Sequence, residues 1–409
     1  MLLLLLIART PLWAQDNKSV PITTIIPVNK TTRDTVINAP DGTPQKDFGD
    51  VLRKLFNSKP SSAPDSVTSK PEISIVPALG YTLVSRLAAV VSGNVAWRTG
   101  PDSRISTIIA SADYTQNKQF TLPIQTSIWT KNNQWNFLGD YRFYKYPQST
   151  FGLGSNSNIQ NEDPMDYYFV RFYETALRHI SGNLYAGIGY IIDSRWNISD
   201  QSPLNGAFND YRAYGAEGHT VSSGPTLNAV YDSRNFSINP STGWLASIQY
   251  RRADAALGST REWSSLLIDV RRYYPFPAGS QNIIAFWSYD WFTLNGKPPY
   301  LDLPSTSWDQ NSATGRGYIQ GRFRGAQMLY LESEYRFQLT RNGLLGGVVF
   351  VNAESLSAAP GTRLQSIQPA FGPGLRVKLN KVSRTNVAID YGFGLQGSRG
   401  LFIDVGEAF

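Results

Sequence analysis

The residues with the clearest capacity for chemistry lie in one short segment, residues 315–324, which reads GRGYIQGRFR. Its three glycines allow a tightly folded backbone, and its three guanidinium groups need acidic or hydrogen-bonding partners. The composition therefore indicates a loop that binds its surroundings through charge-assisted hydrogen bonds.

Signals for catalysis are weak in the rest of the chain. The only G-x-G-x-x-G, at Gly392, Gly394 and Gly397, lies in a predicted strand and its turn, where a dinucleotide site is not expected. There is no G-x-S-x-G elbow. His179 and His219 have no neighbours at ligand spacing, and cysteine is absent. The sequence predicts no enzyme, no catalytic residues, no metal site and no cofactor.

Composition narrows the fold class. The longest early apolar run, 2–8, is seven residues, whereas a membrane helix needs about 20, so a helical membrane protein is excluded. Aromatic residues make up 13% of the chain and glycines number 34, which is typical of short strands with aromatic girdles. The net charge is +7, but no run of Lys or Arg exceeds two residues. A barrel lumen or anionic lipid head groups explain these cations more simply than nucleic acid, which is not a predicted partner.

Period-2 alternation of apolar and polar residues dominates residues 72–409. A soluble half-buried sheet would give the same alternation, but its repetition behind a signal peptide favours a membrane barrel. We predict an all-β fold, a sixteen-stranded antiparallel transmembrane barrel. The predicted strands are 73–81, 87–98, 105–115, 119–130, 134–144, 166–178, 184–194, 222–232, 244–252, 263–274, 282–292, 327–338, 344–352, 370–379, 385–394 and 400–409. Two long connections, 195–221 and 293–326, are expected to be extracellular.

The region before the barrel divides into three parts. Residues 1–14 resemble a secretory signal peptide, and 15–71 form a flexible periplasmic segment that ends in a Ser/Pro linker, 58–71. Within it, 46–57 predicts a short amphipathic helix. Its apolar face must dock against the membrane leaflet, inside the lumen or on a partner, and nearby basic residues favour the leaflet. The face consists of Phe48, Val51, Leu52, Leu55 and Phe56.

The last strand carries its own signal. Leu401, Ile403, Val405 and Phe409 are predicted to share one face, and the strand is expected to pair through its final residue with the first strand. Closure of a barrel explains why an apolar strand would need to pair to its last residue.

Several motifs together give a resemblance to the BamA/TamA surface-antigen superfamily, whose members are sixteen-stranded outer-membrane barrels that assemble or translocate other proteins. The signature loop of that family is similar to Gly315, Arg316, Gly317 and Tyr318. A terminal aromatic like Phe409 matches its assembly signal. The further matching stretches are Asp232, Arg234, Pro240 and Gly243 at a turn, 346–350, 372–376 and 390–392.

The resemblance implies that the loop folds back into the lumen and that Arg316 contacts acidic groups on the inner wall. Alternation places Glu332, Glu334 and Asp390 on that wall. Asn352 stands where the family often has an acidic residue, and its amide can accept a hydrogen bond from Arg316 without supplying charge. Whether Arg316 only anchors the loop or also gates the lumen is left open.

Family members also carry periplasmic polypeptide-transport-associated (POTRA) domains, for which 15–71 is too short, so the resemblance implies a barrel-only member. The expected function is assembly or translocation of outer-membrane proteins or lipids through a weak seam between the first and last strands, which contain Pro77 and Gly406. A passive porin-like channel and a structural or scaffolding barrel are alternatives. The expected location is the outer membrane of a Gram-negative bacterium. The expected partners are its lipid and the barrel assembly machinery for insertion, and a homodimer or an unidentified membrane or periplasmic protein is left open.

Overall fold

The computed structural model describes residues 43–55, 71–82, 84–201, 210–215, 217–236, 238–310, 312–381 and 384–409. The predicted signal peptide 1–14, the segment from 15 to 42, residues 58–70 of the linker and Phe56 lie outside the described residues.

The described chain folds as an antiparallel β-barrel of sixteen strands with one additional short strand. The short strand is β6, which pairs only with β7. The strands are β1 (Glu72–Thr82), β2 (Arg86–Arg98), β3 (Ile105–Thr115), β4 (Phe120–Trp129), β5 (Trp135–Lys145), β6 (Gln148–Thr150), β7 (Asp163–Ser181), β8 (Leu184–Asp200), β9 (His219–Asp232), β10 (Gly243–Ala253), β11 (Trp263–Pro275), β12 (Ile283–Gly296), β13 (Gln327–Gln338), β14 (Leu345–Leu356), β15 (Gln368–Asn380), β16 (Thr385–Gly394) and β17 (Arg399–Val405).

Each barrel strand pairs with the next in the chain, and β1 pairs with β17 to close the sheet. The predicted fold class and the number of strands are confirmed. The predicted long connection 195–221 is shorter in the structure, since β8 continues to Asp200. Within that predicted connection, Arg195 and Trp196 of β8 pair with Thr220 and His219 of β9.

Alternation along the strands separates a lumen face from a lipid face. In β13, Leu331 is 61% exposed on the outside, whereas the neighbouring Glu332 is 3% exposed inside the barrel. A wall whose outer side chains are apolar and whose inner side chains are polar suits lipid outside and a polar interior. Alternation therefore puts the charged side chains on the lumen face, and the pairing register between strands decides which of them are neighbours.

The helices are short. They are α1 (Phe48–Leu55) and α2 (Asp210–Gly215), with 3-10 turns at 159–161, 255–257 and 300–302. No helix among the described residues has the length and apolarity required to cross a membrane.

Helix α1 lies inside the predicted range 46–57, at the end of the barrel where β1 begins and β17 ends. We call this the terminal end. The backbone N–H of Lys46 donates to the Asn342 carbonyl at 2.9 Å, in the turn between β13 and β14. Lys381, in the turn between β15 and β16, contacts Asp50 at 2.8 Å through its Nζ. Its backbone N–H donates to Asp47 at 3.2 Å. These contacts tie α1 to two barrel turns, whereas Val51 remains 39% exposed.

The chain end differs from its prediction. Strand β17 stops at Val405, and the last residues turn into the lumen at Gly406, which has a φ of +107°. Phe409 is only 4% exposed and stacks on Trp287 with ring centroids 5.1 Å apart. The prediction of pairing through the final residue, with Phe409 on the outer face, is wrong. Strict alternation would also have put Glu407 on the lipid side, whereas the lumen offers it two arginines.

Candidate functional site

The candidate site is the lumen loop, residues 297–326 between β12 and β13, together with the wall that it contacts. Most of its described residues are buried inside the barrel, including 300–307 and 313–318. An antiparallel bridge between Ser305 and Arg324 closes the loop on itself. Because the loop is both long and ordered by contacts, it fits the class of long connections that carry function.

Arg316 is the centre of the site. Its guanidinium donates to Glu332 and Glu334 on β13 through Nη2, and to Asp390 on β16 through Nη1 at 2.6 Å. It also lies 3.9 Å from the ring centroid of Phe350. The structure thus brings together Arg316 and all three acidic residues that the sequence offered as alternatives. A buried guanidinium shared by several carboxylates is a strong and directional anchor.

The carboxylates of the site have further arginine partners on the wall. Arg336 donates to Glu334 at 2.7 Å, and Arg376 pairs with Asp390 at 2.5 Å. Both arginines face Glu407, at 4.0 Å for Arg336 and 2.7 Å for Arg376. We call these seven groups the Arg316 cluster: Arg316, Glu332, Glu334, Arg336, Arg376, Asp390 and Glu407.

The sequence did not single out Arg336, Arg376 and Glu407 as members of the site. Arg336 is two residues after Glu334, so alternation puts both side chains on the lumen face. Because buried charged groups need partners, this position could have indicated that Arg336 belongs to the site. Nothing in the sequence placed Glu407 in the lumen, since its position depends on the turn of the chain at Gly406.

Asn352 contacts the loop backbone. Its Nδ2 donates to the carbonyl oxygen of Arg316 at 3.0 Å. Asn352 is therefore a donor to the loop, in place of the acceptor expected for it. The amide fixes the backbone at the position from which Arg316 extends.

Two glycines allow the loop to approach the wall closely. Gly317 has a φ of +111°, and a Cβ at Gly392 of β16 would lie only 2.6 Å from the Cα of Gly317. Any side chain at either position would separate the two backbones. Ser398 donates to the Gly317 carbonyl at 2.9 Å.

Tyr318 continues the attachment. Its hydroxyl donates to the Pro369 carbonyl at 2.7 Å and accepts from the Leu395 backbone N–H at 3.0 Å. Its ring packs at Gly394, where a Cβ would come within 2.6 Å of the ring. The tyrosine therefore binds the start of β15 and the turn between β16 and β17.

The two other arginines of the segment bind polar groups other than carboxylates. Arg322 donates to the side chain and carbonyl of Ser157 at 2.9 and 2.7 Å, and to Gln396 at 3.0 Å. Burial lowers the pKa of Arg322 to about 10, so it remains protonated at neutral pH. Arg324 donates to the carbonyls of Tyr300 and Leu303 at 3.3 and 3.4 Å. These cations hold the loop to its surroundings and to itself.

A second ionic cluster lies on β7, β8 and β10. Asp193 on β8 accepts from Arg171 at 3.0 Å and from Arg251 at 2.7 Å. Arg195 reaches Asp302 of the lumen loop. Sequence reasoning did not select these residues, because alternation gives only a face for each side chain. Arg171 stands directly opposite Asp193 in the β7–β8 pairing, whereas Arg251 and Asp302 reach their partners from elements that are not strand neighbours.

The family-like turn between β9 and β10 is a compact structural unit. Arg234 pairs with Asp232 through two parallel hydrogen bonds of 2.9 and 2.7 Å, and both side chains are buried. Pro240 is buried, and Gly243 adopts a φ of +104° against the Ser233 backbone. The arrangement stabilises the terminal end and offers no group for substrate chemistry.

In the part of the chain that the structure describes, the seam between β1 and β17 is the least paired junction between neighbouring barrel strands. Among the described residues of the two strands, one registered pair joins them, Tyr81 with Ile403. By contrast, β16 and β17 pair continuously from Val387 to Phe393. Extending the seam register places Leu79 opposite Val405, where β17 ends. The first part of β1, 72–78, therefore reaches beyond β17.

These contacts bind the lumen loop to the barrel wall and hold it in one conformation. Among the residues that the structure describes, no group of three or more His, Asp or Glu side chains is placed to hold a metal ion.

No protein-family model and no curated protein matches the chain, but solved structures do. It is similar to BamA from Haemophilus ducreyi lacking POTRA domains 1–3, at 14% identity and a TM-score of 0.52, over 82% of this chain and 69% of that one. CdiB from Acinetobacter baumannii matches at 13% identity and a TM-score of 0.54, over 82% of this chain and 59% of that one. CdiB from Escherichia coli matches at 10% and 0.51, over 82% and 67%. The chain thus has a BamA-like barrel fold, resembling barrels of the Gram-negative outer membrane.

Proposed function

We propose that this protein is an outer-membrane β-barrel of a Gram-negative bacterium that acts in the assembly or translocation of membrane proteins or lipids at the seam between β1 and β17. The observation that carries the proposal is the seam itself, with one registered pair among its described residues and a β1 that extends past the end of β17. The proposal concerns the barrel and is independent of any domain that precedes it.

An incompletely paired seam has a physical consequence in lipid. Backbone N–H and C=O groups without partners are costly in hydrocarbon, where water cannot bind them. Each missing backbone hydrogen bond forgoes about 0.5–1.5 kcal/mol of net stability even in water. An unpaired strand edge is also a template for another strand. The seam therefore supports a role in which a client strand or a lipid occupies the gap for a time.

The position of the lumen loop supports the same role over a passive channel. The lumen loop is anchored by the Arg316 cluster on one side and by Arg195 with Asp302 on the other. We infer that the loop would have to move for solutes to pass through this part of the lumen.

A disulfide across the seam tests the proposal in a protein that has no native cysteine. Tyr81→Cys with Ile403→Cys joins residues directly opposite one another, and such pairs lie about 4.5–5.5 Å apart, within reach of a disulfide. The matched control, Ile389→Cys with Ile403→Cys, uses the same cysteine on β17 but links it to β16. Each variant is placed in cells that lack the protein. Their envelope permeability and outer-membrane protein levels are compared with and without a reductant.

We expect the oxidised seam lock to abolish complementation and reduction to restore it, whereas the control lock complements under both conditions. Full activity of the oxidised seam lock would overturn the seam proposal. Large steady conductance in planar bilayers would then favour the channel, and its absence would favour a scaffolding role.

A further inference from the structure

The C-terminal tail, Gly406–Phe409, lies in the lumen and is attached to the Arg316 cluster. Glu407 pairs with Arg376 at 2.7 Å and accepts from Asn386 through its other oxygen at 2.6 Å. Arg336 donates to the backbone oxygen of Phe409 at 2.8 Å. The tail continues directly from the seam strand β17, so its position decides where that strand ends.

Carboxylates outnumber guanidinium groups in the cluster, and Lys378 is a further cation close enough to act on Glu407. It contains four carboxylates, from Glu332, Glu334, Asp390 and Glu407, and three guanidinium groups, from Arg316, Arg336 and Arg376. Removal of Arg316 leaves four carboxylates for two guanidinium groups. Like charges close together in a buried site repel strongly, so one carboxylate should leave or take up a proton.

Glu407 is the carboxylate most able to leave. The other three are on the strands β13 and β16, whose backbones are fixed by pairing on both sides. Glu407 follows the end of β17 on a segment without strand structure. With Arg316 withdrawn, Glu334 and Asp390 would each compete harder for the arginine that they share with Glu407.

We propose that Arg316 controls the C-terminal tail through this shared set of charges, so that withdrawal of the lumen loop releases the tail from the lumen. Glu407 is the positioning residue that transmits the change, although Arg316 does not contact the tail. The coupling joins the state of the loop to the end of the seam strand. The biological role of this coupling rests on the proposed function. Its test needs no client protein or lipid, so the coupling can fail or succeed whatever the outcome of the seam experiment.

Two buried alanines provide matched reporters. Ala408 in the tail and Ala313 in the loop are each 7% exposed, and the chain has no cysteine. Ala408→Cys or Ala313→Cys is introduced singly into the full chain, purified in detergent, and treated with a water-soluble maleimide. The rate of alkylation reports release of the tail or of the loop.

We expect slow alkylation of both reporters in the parent protein. Glu407→Gln should speed alkylation at Ala408→Cys by about tenfold while leaving Ala313→Cys protected, a change equivalent to about 1.4 kcal/mol. Its amide retains an oxygen for Asn386 but loses the negative charge. Arg316→Ala should speed alkylation at both reporters.

Three controls separate charge from packing. Arg316→Lys retains one cation and should keep the tail protected. Arg316→Ala with Glu332→Gln restores the original excess of one carboxylate and should return the tail to within about twofold of the parent rate. Arg251→Ala removes a lumen arginine outside the cluster and should leave the tail unchanged.

The coupling would be overturned if Arg316→Ala exposed Ala313→Cys but left Ala408→Cys protected. It would equally be overturned if Glu332→Gln failed to restore protection, or if the tail reporter reacted rapidly in the parent protein.

Discussion

The close approach of Gly317 to Gly392 makes Gly392→Ala a sensitive test of the lumen loop. A Cβ at residue 392 would lie 2.6 Å from both the Cα and the N of Gly317, whereas non-bonded carbon atoms rest about 3.5–4.0 Å apart. Both obstacles are backbone atoms, so no side-chain rotation relieves the clash. The loop must therefore retreat by about 1 Å.

A retreat of this size acts on the Arg316 cluster. The contact between Arg316 and Asp390 is 2.6 Å, and lengthening it to about 3.6 Å would take it beyond hydrogen-bond range. Overpacking of this kind costs about 1–3 kcal/mol. If about 1.4 kcal/mol of this cost destabilises only the closed position of the loop, the population of the open loop rises about tenfold.

Limited proteolysis measures that population, because trypsin cleaves after the arginines of the loop only when it opens. We expect cleavage within 297–326 to be about tenfold faster in Gly392→Ala than in the parent. The matched control is Gly80→Ala, in a barrel strand where an added Cβ meets nothing within 4 Å. Heat-dependent migration on a gel verifies that both variants form barrels. Equal cleavage rates for the two folded variants would refute the reasoning.

Three further outcomes are expected. Asp232→Asn removes the carboxylate that Arg234 binds through two parallel hydrogen bonds and should destabilise the barrel by up to about 3–5 kcal/mol, seen as a lower temperature for loss of heat-resistant migration. Tyr318→Phe removes a hydroxyl that satisfies two backbone groups and should cost about 1–3 kcal/mol, seen as faster loop proteolysis with the barrel intact. A spin label at Val51→Cys in vesicles should be relaxed more by oxygen than by an aqueous reagent if α1 lies on the leaflet, and the reverse preference would contradict that placement.

Much of the barrel could be predicted because each strand carries its own signal. Alternation in β13 separates Leu331 from Glu332 without any knowledge of the neighbouring strands, since side chains of a strand alternate between two faces. The same local rule put Glu334 and Asp390 on the inner wall. Arg316 could be related to them only through a resemblance, because the loop has no periodicity of its own.

The features that could not be predicted from the sequence depend on interactions between distant parts of the chain. Residues 401–409 have the composition of a continued strand, but Glu407 gains two arginines by turning inward, and this tertiary contact overrides the local pattern. The partners of Asp193 were predictable only in part, because Arg171 lies directly opposite it in the β7–β8 pairing, whereas Arg251 reaches it from β10, which is not a neighbour of β8.

The binding of Arg316 by one strand that directly follows its loop and by another much later in the chain also sets an order of events during biogenesis. Glu332 follows the arginine by 16 residues, but Asp390 follows it by 74. A nascent barrel that adds strands in chain order would hold its lumen loop by the near carboxylates alone until β16 arrives. Since contacts distant in sequence form late in folding, fixation of the loop should be among the last steps. A lumen loop that is fully fixed would therefore mark a barrel whose final strands are already in place.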